Sequence, residues 1–262
     1  MPRLKTFLGG GNMAKAMLEG LAKKETLAGY LVIEKDEQKR KALETLGVET
    51  SAEWQNKTEA VFCILAVKPQ DAKTILPTLS LPPDSILCSL AAGLSVATIE
   101  ALLPKKATVM RAMPNLAAAV GHAVTGLFAP LKTPANVKEE VESLFAAFGQ
   151  AFWLADEKML HAVTAMTGSG PGYLFYIMDI MAQTAKKMGF TEEANAMIHE
   201  LFLGAALMAK NGNFSELATA VSSKGGTTEA ALSFLEKKGL PTLIENAILC
   251  AYERSQALDS LS

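Results

Sequence analysis

The 262-residue sequence predicts two domains: an α/β N-terminal domain, with helices covering a doubly wound, mostly parallel sheet, and an all-α C-terminal domain. Three observations lead there. Short β-branched or apolar runs alternate with helical patterns from residue 1 to about 155, and that strict rotation implies right-handed crossovers in a parallel sheet. A glycine-rich turn joins the first run to the first helical pattern. Beyond about Asp156 the strand signal stops, and helical patterns rich in Ala, Leu and Met take over. The expected domains are residues 1–155 and 156–262.

Leu4–Leu8 reads as the first strand. Met13, Ala16, Met17, Gly20 and Leu21 then recur at i, i+3, i+4, i+7 and i+8, which is one face of a helix. Leu31–Glu34 is a second strand, followed by a charged helix from about Glu37 to Leu46. Val61–Val67 is a third, stopped by Lys68-Pro69. Ile86–Ser89, Thr108–Arg111 and Ala123–Phe128 are later strands. In the C-terminal part, Tyr173–Met188, Glu192–Lys210, Glu216–Val221, Glu229–Lys237 and Thr242–Gln256 read as helices. Gly189, Gly212 and Gly239 stand where helices should end, and Pro241 where one should start.

Composition narrows the function classes. Half of the residues are hydrophobic, yet no stretch approaches the roughly 20 apolar residues of a membrane span. The apolar run after Met1-Pro2-Arg3-Leu4-Lys5 is too short for a signal-peptide core, so a cytoplasmic protein is expected. A formal net charge of −2 gives no electrostatic reason to expect nucleic acid or an anionic membrane as partner. Cys63, Cys88 and Cys250 lie apart, the first two within apolar runs that suit buried, inert thiols. His122, His161 and His199 are scattered, and no metal site is expected.

Gly9-Gly10-Gly11-Asn12-Met13-Ala14 matches G-x-G-x-x-A between strand and helix. Gly9 permits a tight turn, Gly11 lets the backbone approach a pyrophosphate, and Ala14 lets helix and strand pack closely. The helix start supplies free N–H groups and the positive end of a dipole. With a second strand following at the right distance, this is the fingerprint of a Rossmann dinucleotide site. Ala66-Val67-Lys68-Pro69, Leu90-Ala91-Ala92-Gly93 and Met113-Pro114-Asn115 end later strands, at the edge where such sheets bind ligands. Each suits either a nicotinamide-ribose contact or a plain strand end.

Two segments of the helical half stand apart. Thr164-Ala165-Met166-Thr167-Gly168-Ser169-Gly170-Pro171-Gly172-Tyr173 leads into a long apolar helix, and Val221-Ser222-Ser223-Lys224-Gly225-Gly226-Thr227-Thr228-Glu229 opens another. Glycine bares backbone N–H groups at a helix start, and Ser223, Thr227 and Thr228 add hydroxyl donors. That suits a small carboxylate, although Ser and Thr also serve as ordinary helix caps.

Together these residues resemble the pyrroline-5-carboxylate reductases along the whole chain: Gly9–Ala14, Ala66–Pro69, Arg111–Asn115, Gly168–Tyr173 and, most specifically, Ser223–Thr228. The last is similar to that family's S-P-G-G-T-T signature, with Lys224 in place of proline. Thr167 and Gly172 depart from its S-G-S-G-P-A motif. The resemblance implies NADPH-dependent reduction of 1-pyrroline-5-carboxylate to L-proline, with NADH as a possible substitute, in a homodimer or larger homo-oligomer. It implies that Thr228 meets the ring nitrogen, that Ser223, Gly226 and Thr227 hold the carboxylate, and that Glu157 lies near the substrate. It also implies cofactor contacts from Gly9, Gly10, Gly11, Asn12, Met13, Ala66, Val67, Lys68, Pro69, Ala91 and Ala92. At the adenosine ribose, Glu34 ends the second strand, where an acid normally favours NAD over NADP. The resemblance instead has Lys35 face the ligand while Glu34 points aside.

Rival patterns fit less well. A β-hydroxyacid dehydrogenase would resemble a pattern with Lys soon after a glycine motif, yet none occurs between Gly170 and Lys186, and Lys210-Asn211-Gly212-Asn213 matches K-x-x-N only formally. A ketol-acid reductoisomerase would need clustered carboxylates, and Asp179 has no acidic residue one turn away. A noncatalytic NAD(P)-binding sensor would have no need of the Gly225–Thr228 loop.

Overall fold

The computed structural model describes residues 3–55 and 59–260, so Met1 and Pro2, on which part of the N-terminal reading falls, lie outside the described residues. The chain forms two units: Met1–Pro171 with Ala251–Ser262, and Gly172–Cys250.

The first unit is built on an eight-stranded sheet. Its strands are β1 (Leu4–Leu8), β2 (Tyr30–Ile33), β3 (Glu49–Ser51), β4 (Val61–Leu65), β5 (Ile86–Ser89), β6 (Thr108–Met113), β7 (Ala123–Phe128) and β8 (Gly149–Trp153). Their spatial order is β3-β2-β1-β4-β5-β6-β7-β8. The first six pair in parallel, in the doubly wound order whose direction of winding reverses between β1 and β4. The helices here are α1 (Asn12–Ala22), α2 (Glu37–Glu44), α3 (Pro69–Ile75), α4 (Val96–Leu102), α5 (Ala135–Ala146) and α6 (Met159–Val163).

Alternate side chains of each strand feed two cores. Phe7, Phe62, Ile64 and Cys88 enter one, with Leu18, Leu21, Phe145 and Phe148, while Leu8, Val61, Cys63 and Leu65 enter the other. A sheet buried on both faces needs continuous apolar strands, which is why β4 reads as an unbroken run. Cys63 and Cys88 are fully buried, and burial pushes both thiols far above the ordinary range, as expected of inert residues. Gly20 lets α1 sit directly on the turn after β6: a Cβ there would stand 2.2 Å from the Ala118 carbonyl oxygen.

The structure departs from strict rotation at β6–β7. Their connection is a short turn, Leu116–Val120, closed by Gly121 at φ 79, with no crossover helix. So short a link can only return antiparallel, and β7 does so, with β8 then parallel to β7 through α5. The short edge strand β3 and the half-exposed β8 were not expected from the sequence, and neither was α6 with the π-turn Thr164–Gly168 that follows it.

The second unit is helical: α7 (Gly170–Lys187), α8 (Ala194–Met208), α9 (Phe214–Ala220), α10 (Thr227–Lys237) and α11 (Leu240–Ser260), of which α7 begins and α11 ends in the first unit. Gly189 and Gly239 end their helices with positive φ, as expected, whereas Gly212 is extended. Among the described residues no helix is long and apolar enough to cross a membrane.

Candidate functional site

The turn between β1 and α1 combines three different glycine requirements. Gly9 adopts φ +99, and a Cβ there would lie 2.6 Å from Val67 Cγ1 and 3.1 Å from the Ala66 carbonyl oxygen. The turn therefore packs against the end of β4, so the residues expected at the cofactor from both segments are neighbours. Gly11 caps α1, and nothing lies within 4 Å of where its Cβ would be. The first turn of α1 has no acidic residue and no side-chain cap, so its positive dipole end is not offset by a protein side chain. That arrangement fits a dinucleotide pyrophosphate.

The neighbouring strand ends line up with it. Lys68 caps α3 and Pro69 begins it, needing no N–H partner there. Ala91 is buried just past β5, where its N–H donates to Ser89 Oγ at 3.2 Å, and Ala92 is half-buried. Gly9–Met13, Glu34, Lys35, Ala66–Pro69, Ala91 and Ala92 thus all stand at the carboxyl ends of β1, β2, β4 and β5.

At the end of β2 the Glu34 carboxylate is turned onto the glycine loop. Glu34 does not point aside: its Oε2 accepts the Gly10 N–H at 2.8 Å and its Oε1 accepts the Asp36 N–H at 3.0 Å. Gly10 makes room for it, since a Cβ there would meet Glu34 Cβ and Cγ at 3.1 and 3.2 Å. Lys35 is exposed, and Arg40 Nη1 donates to the carbonyls of Glu34 and Lys35, at 2.8 Å each.

A buried cation that sequence reasoning left without a role sits at the other end of this edge. Arg111 on β6 is 3% exposed. Its Nη1 donates to Glu157 Oε1 at 2.9 Å and its Nη2 to the Ala91 carbonyl at 3.3 Å. Glu157 Oε1 also accepts the Val96 N–H at the start of α4, at 2.8 Å. The pair therefore fixes the Ala91–Val96 loop against β6. An arginine inside the otherwise apolar Thr108–Met113 run was the signal available in the sequence. Nearby, Asn115 Nδ2 donates to the Thr167 carbonyl at 2.8 Å, tying the turn after β6 to the π-turn before α7.

In the second unit, the Ser223–Thr228 loop forms the start of α10, with Gly226 as cap. The Gly226 N–H donates to the Ser223 carbonyl at 2.9 Å, and a Cβ on Gly226 would lie 2.5 Å from Ser223 Oγ. Gly225 has φ +73, and its N–H donates to Glu229 Oε2 at 2.6 Å, a contact not foreseen. Thr227 is exposed and Thr228 half-buried in the first helical turn. Lys224, at the family's proline position, is exposed. Among the described residues no three His, Cys, Asp or Glu side chains come together in a way that could hold a metal ion.

Two family models match the chain. Residues 157–258 match pyrroline-5-carboxylate reductase dimerisation, and residues 6–93 match NADP oxidoreductase coenzyme F420-dependent. The chain is 37% identical to a pyrroline-5-carboxylate reductase of Haemophilus influenzae, covering 99% of this chain and 98% of that one. It is 36% identical to that of Pseudomonas aeruginosa, over 98% and 97% of the two. Among solved structures it is similar to a pyrroline-5-carboxylate reductase from Coxiella burnetii, with a TM-score of 0.87 and 33% identity over 98% of both chains. The 1-pyrroline-5-carboxylate reductase of Streptococcus pyogenes follows with a TM-score of 0.83 and 26% identity, over 97% of this chain and 98% of that one.

Proposed function

The chain belongs to the pyrroline-5-carboxylate reductase family, and we propose that it reduces 1-pyrroline-5-carboxylate to L-proline with NAD(P)H. The observation that carries this is an intact Rossmann glycine turn, aligned with the ends of β4 and β5, in a chain that matches such reductases over almost its entire length. Residues 1–155 are proposed as the NAD(P)-binding domain and residues 156–262 as the substrate-binding and dimerisation domain. The large apolar side chains exposed on the second unit support a homodimer or larger assembly, and cytoplasm is the proposed location.

NAD(P)H supplies a hydride when bound, and the imine carbon accepts it while the ring nitrogen carries a proton. A protonated imine is already electrophilic, so the protein's task is alignment, not activation by a strong nucleophile. The first-turn N–H groups of α1 hold the pyrophosphate, and Ala66–Pro69 with Ala91 and Ala92 border the nicotinamide end. Ser223, Gly226 and Thr227 hold the substrate carboxylate, and the Thr228 hydroxyl orients the ring nitrogen or passes its proton. Glu157 borders the site, acting through its grip on the Ala91–Val96 loop.

Purified full-length protein should oxidise NAD(P)H only when 1-pyrroline-5-carboxylate is added. Thr228→Val should lower turnover roughly ten- to a hundred-fold, the worth of one hydrogen bond to a charged nitrogen at about 1.5–3 kcal/mol, with nucleotide binding unchanged. Wild-type protein that binds nucleotide yet reduces no imine would be a sensor instead, and unchanged turnover in the variant would remove Thr228 from the mechanism.

A further inference from the structure

Glu34 has a more specific task than closing a turn. Both of its carboxylate oxygens are held by backbone N–H groups, of Gly10 and of Asp36. Its side-chain stem fills the space that Gly10 leaves by having no Cβ. The carboxylate is thereby fixed on the glycine turn at the carboxyl end of β2, about twenty residues past the fingerprint. In this fold the adenosine ribose of a bound dinucleotide lies there. A fixed carboxylate can accept hydrogen bonds from ribose hydroxyls, whereas a 2′-phosphate would add negative charge beside a group that cannot swing away.

Two cations stand close by. Lys35, the next residue, is exposed. Arg40 is half-buried, with one nitrogen committed to two carbonyl oxygens. Arg40 meets Glu34 at its backbone carbonyl, while the Glu34 carboxylate is held by the N–H groups of Gly10 and Asp36, so the acidic group is what the ribose edge presents first. We propose that Glu34 makes this enzyme favour NADH over NADPH, with Lys35 and Arg40 keeping NADPH usable. The inference rests on the dinucleotide site proposed above.

Titration calorimetry on the full-length protein tests it without reference to turnover. Four probes are used: NADH, NADPH, AMP and adenosine 2′,5′-bisphosphate, the last two isolating the 2′ position. Wild type should bind NADH about ten-fold or more tightly than NADPH, and AMP more tightly than the bisphosphate. Glu34→Gln, which removes the charge and keeps the shape, should tighten NADPH about ten-fold, equivalent to about 1.4 kcal/mol. NADPH bound as tightly as NADH by wild type, or a nucleotide ratio unchanged in Glu34→Gln, would overturn the proposal. The wild-type ratios alone decide it should the variant fail to fold. NADH-selective binding without imine reduction would defeat the proposed reaction and leave this inference standing, while imine reduction with NADPH bound preferentially would do the reverse.

Discussion

The two units solve the problem of burying apolar surface in opposite ways. In the first, a sheet covered on both faces takes Phe7, Phe62, Phe145 and Phe148 wholly out of solvent. In the second, α9 and α10 bury no residue at all in the single chain, and Phe214, Met188 and Tyr176 are 77%, 74% and 70% exposed. Exposed apolar area on that scale marks a surface meant for a partner. One unit is finished by its own chain. The other leaves large apolar side chains of its helices exposed, and residues 157–258 match a dimerisation model.

Four substitutions would break or sharpen this contrast. The largest effect is expected in the first unit from Arg111→Ala, which leaves Glu157 without its cation and the Ala91–Val96 loop without its tie. Loss of one partner of a buried pair costs about 3–5 kcal/mol, toward the lower end here because the Glu157 side chain is 24% exposed. A shifted urea midpoint would record it, and an unshifted midpoint would show that the pair does not hold the loop. Next comes Phe234→Glu on α10, a residue 59% exposed in the single chain. It should weaken self-association by about 2 kcal/mol, roughly thirty-fold, with the first unit's unfolding unaffected. Light scattering over a dilution series reads this directly, and an oligomer as stable as wild type would take α10 out of the interface.

The smallest effect is the most discriminating, because one change is expected to have opposite signs in the two units. Gly20→Ala places a Cβ 2.2 Å from the Ala118 carbonyl oxygen and should cost about 1–3 kcal/mol. Gly204→Ala on α8 meets nothing within 4 Å and should stabilise by about 0.5–1 kcal/mol, the ordinary helix preference. Thermal unfolding of both variants makes the test. A loss at Gly204 that depends on protein concentration would mean instead that a neighbouring subunit lies against that part of α8.

What could be read from the sequence divides along physical lines. Strand β4 announces itself because burial on both faces demands an unbroken apolar run, and the glycine turn because its backbone tolerates no side chain. Strand β3 has three polar or half-exposed residues at a sheet edge, and β8 begins with glycine and alternates exposed positions, so neither carries that signal. The orientation of Glu34 was beyond sequence reasoning for a different reason. Pleating says that Glu34 and Lys35 point to opposite sides, but not which one faces the turn. That is settled by Gly10, whose free N–H and missing Cβ draw the carboxylate in. Arg111 was visible as a charge in an apolar strand, yet its partners come from residues 91 and 157, far away in the chain.

The last helix has a consequence for how the chain comes into being. The residues of α11 from Ala251 onward belong to the first unit, separated from the rest of it by the whole of Gly172–Cys250. There Ser255 Oγ and Asp259 Oδ2 lie 3.0 and 3.2 Å from the two ring nitrogens of His161, on the buried side of α6. During synthesis from the N-terminus, the sheet of the first unit is therefore made early but stays open along α6 until Asp259 has emerged. Its completion waits on every helix of the other unit, so a half-made chain exposes the His161 seam for as long as translation takes to cross those helices.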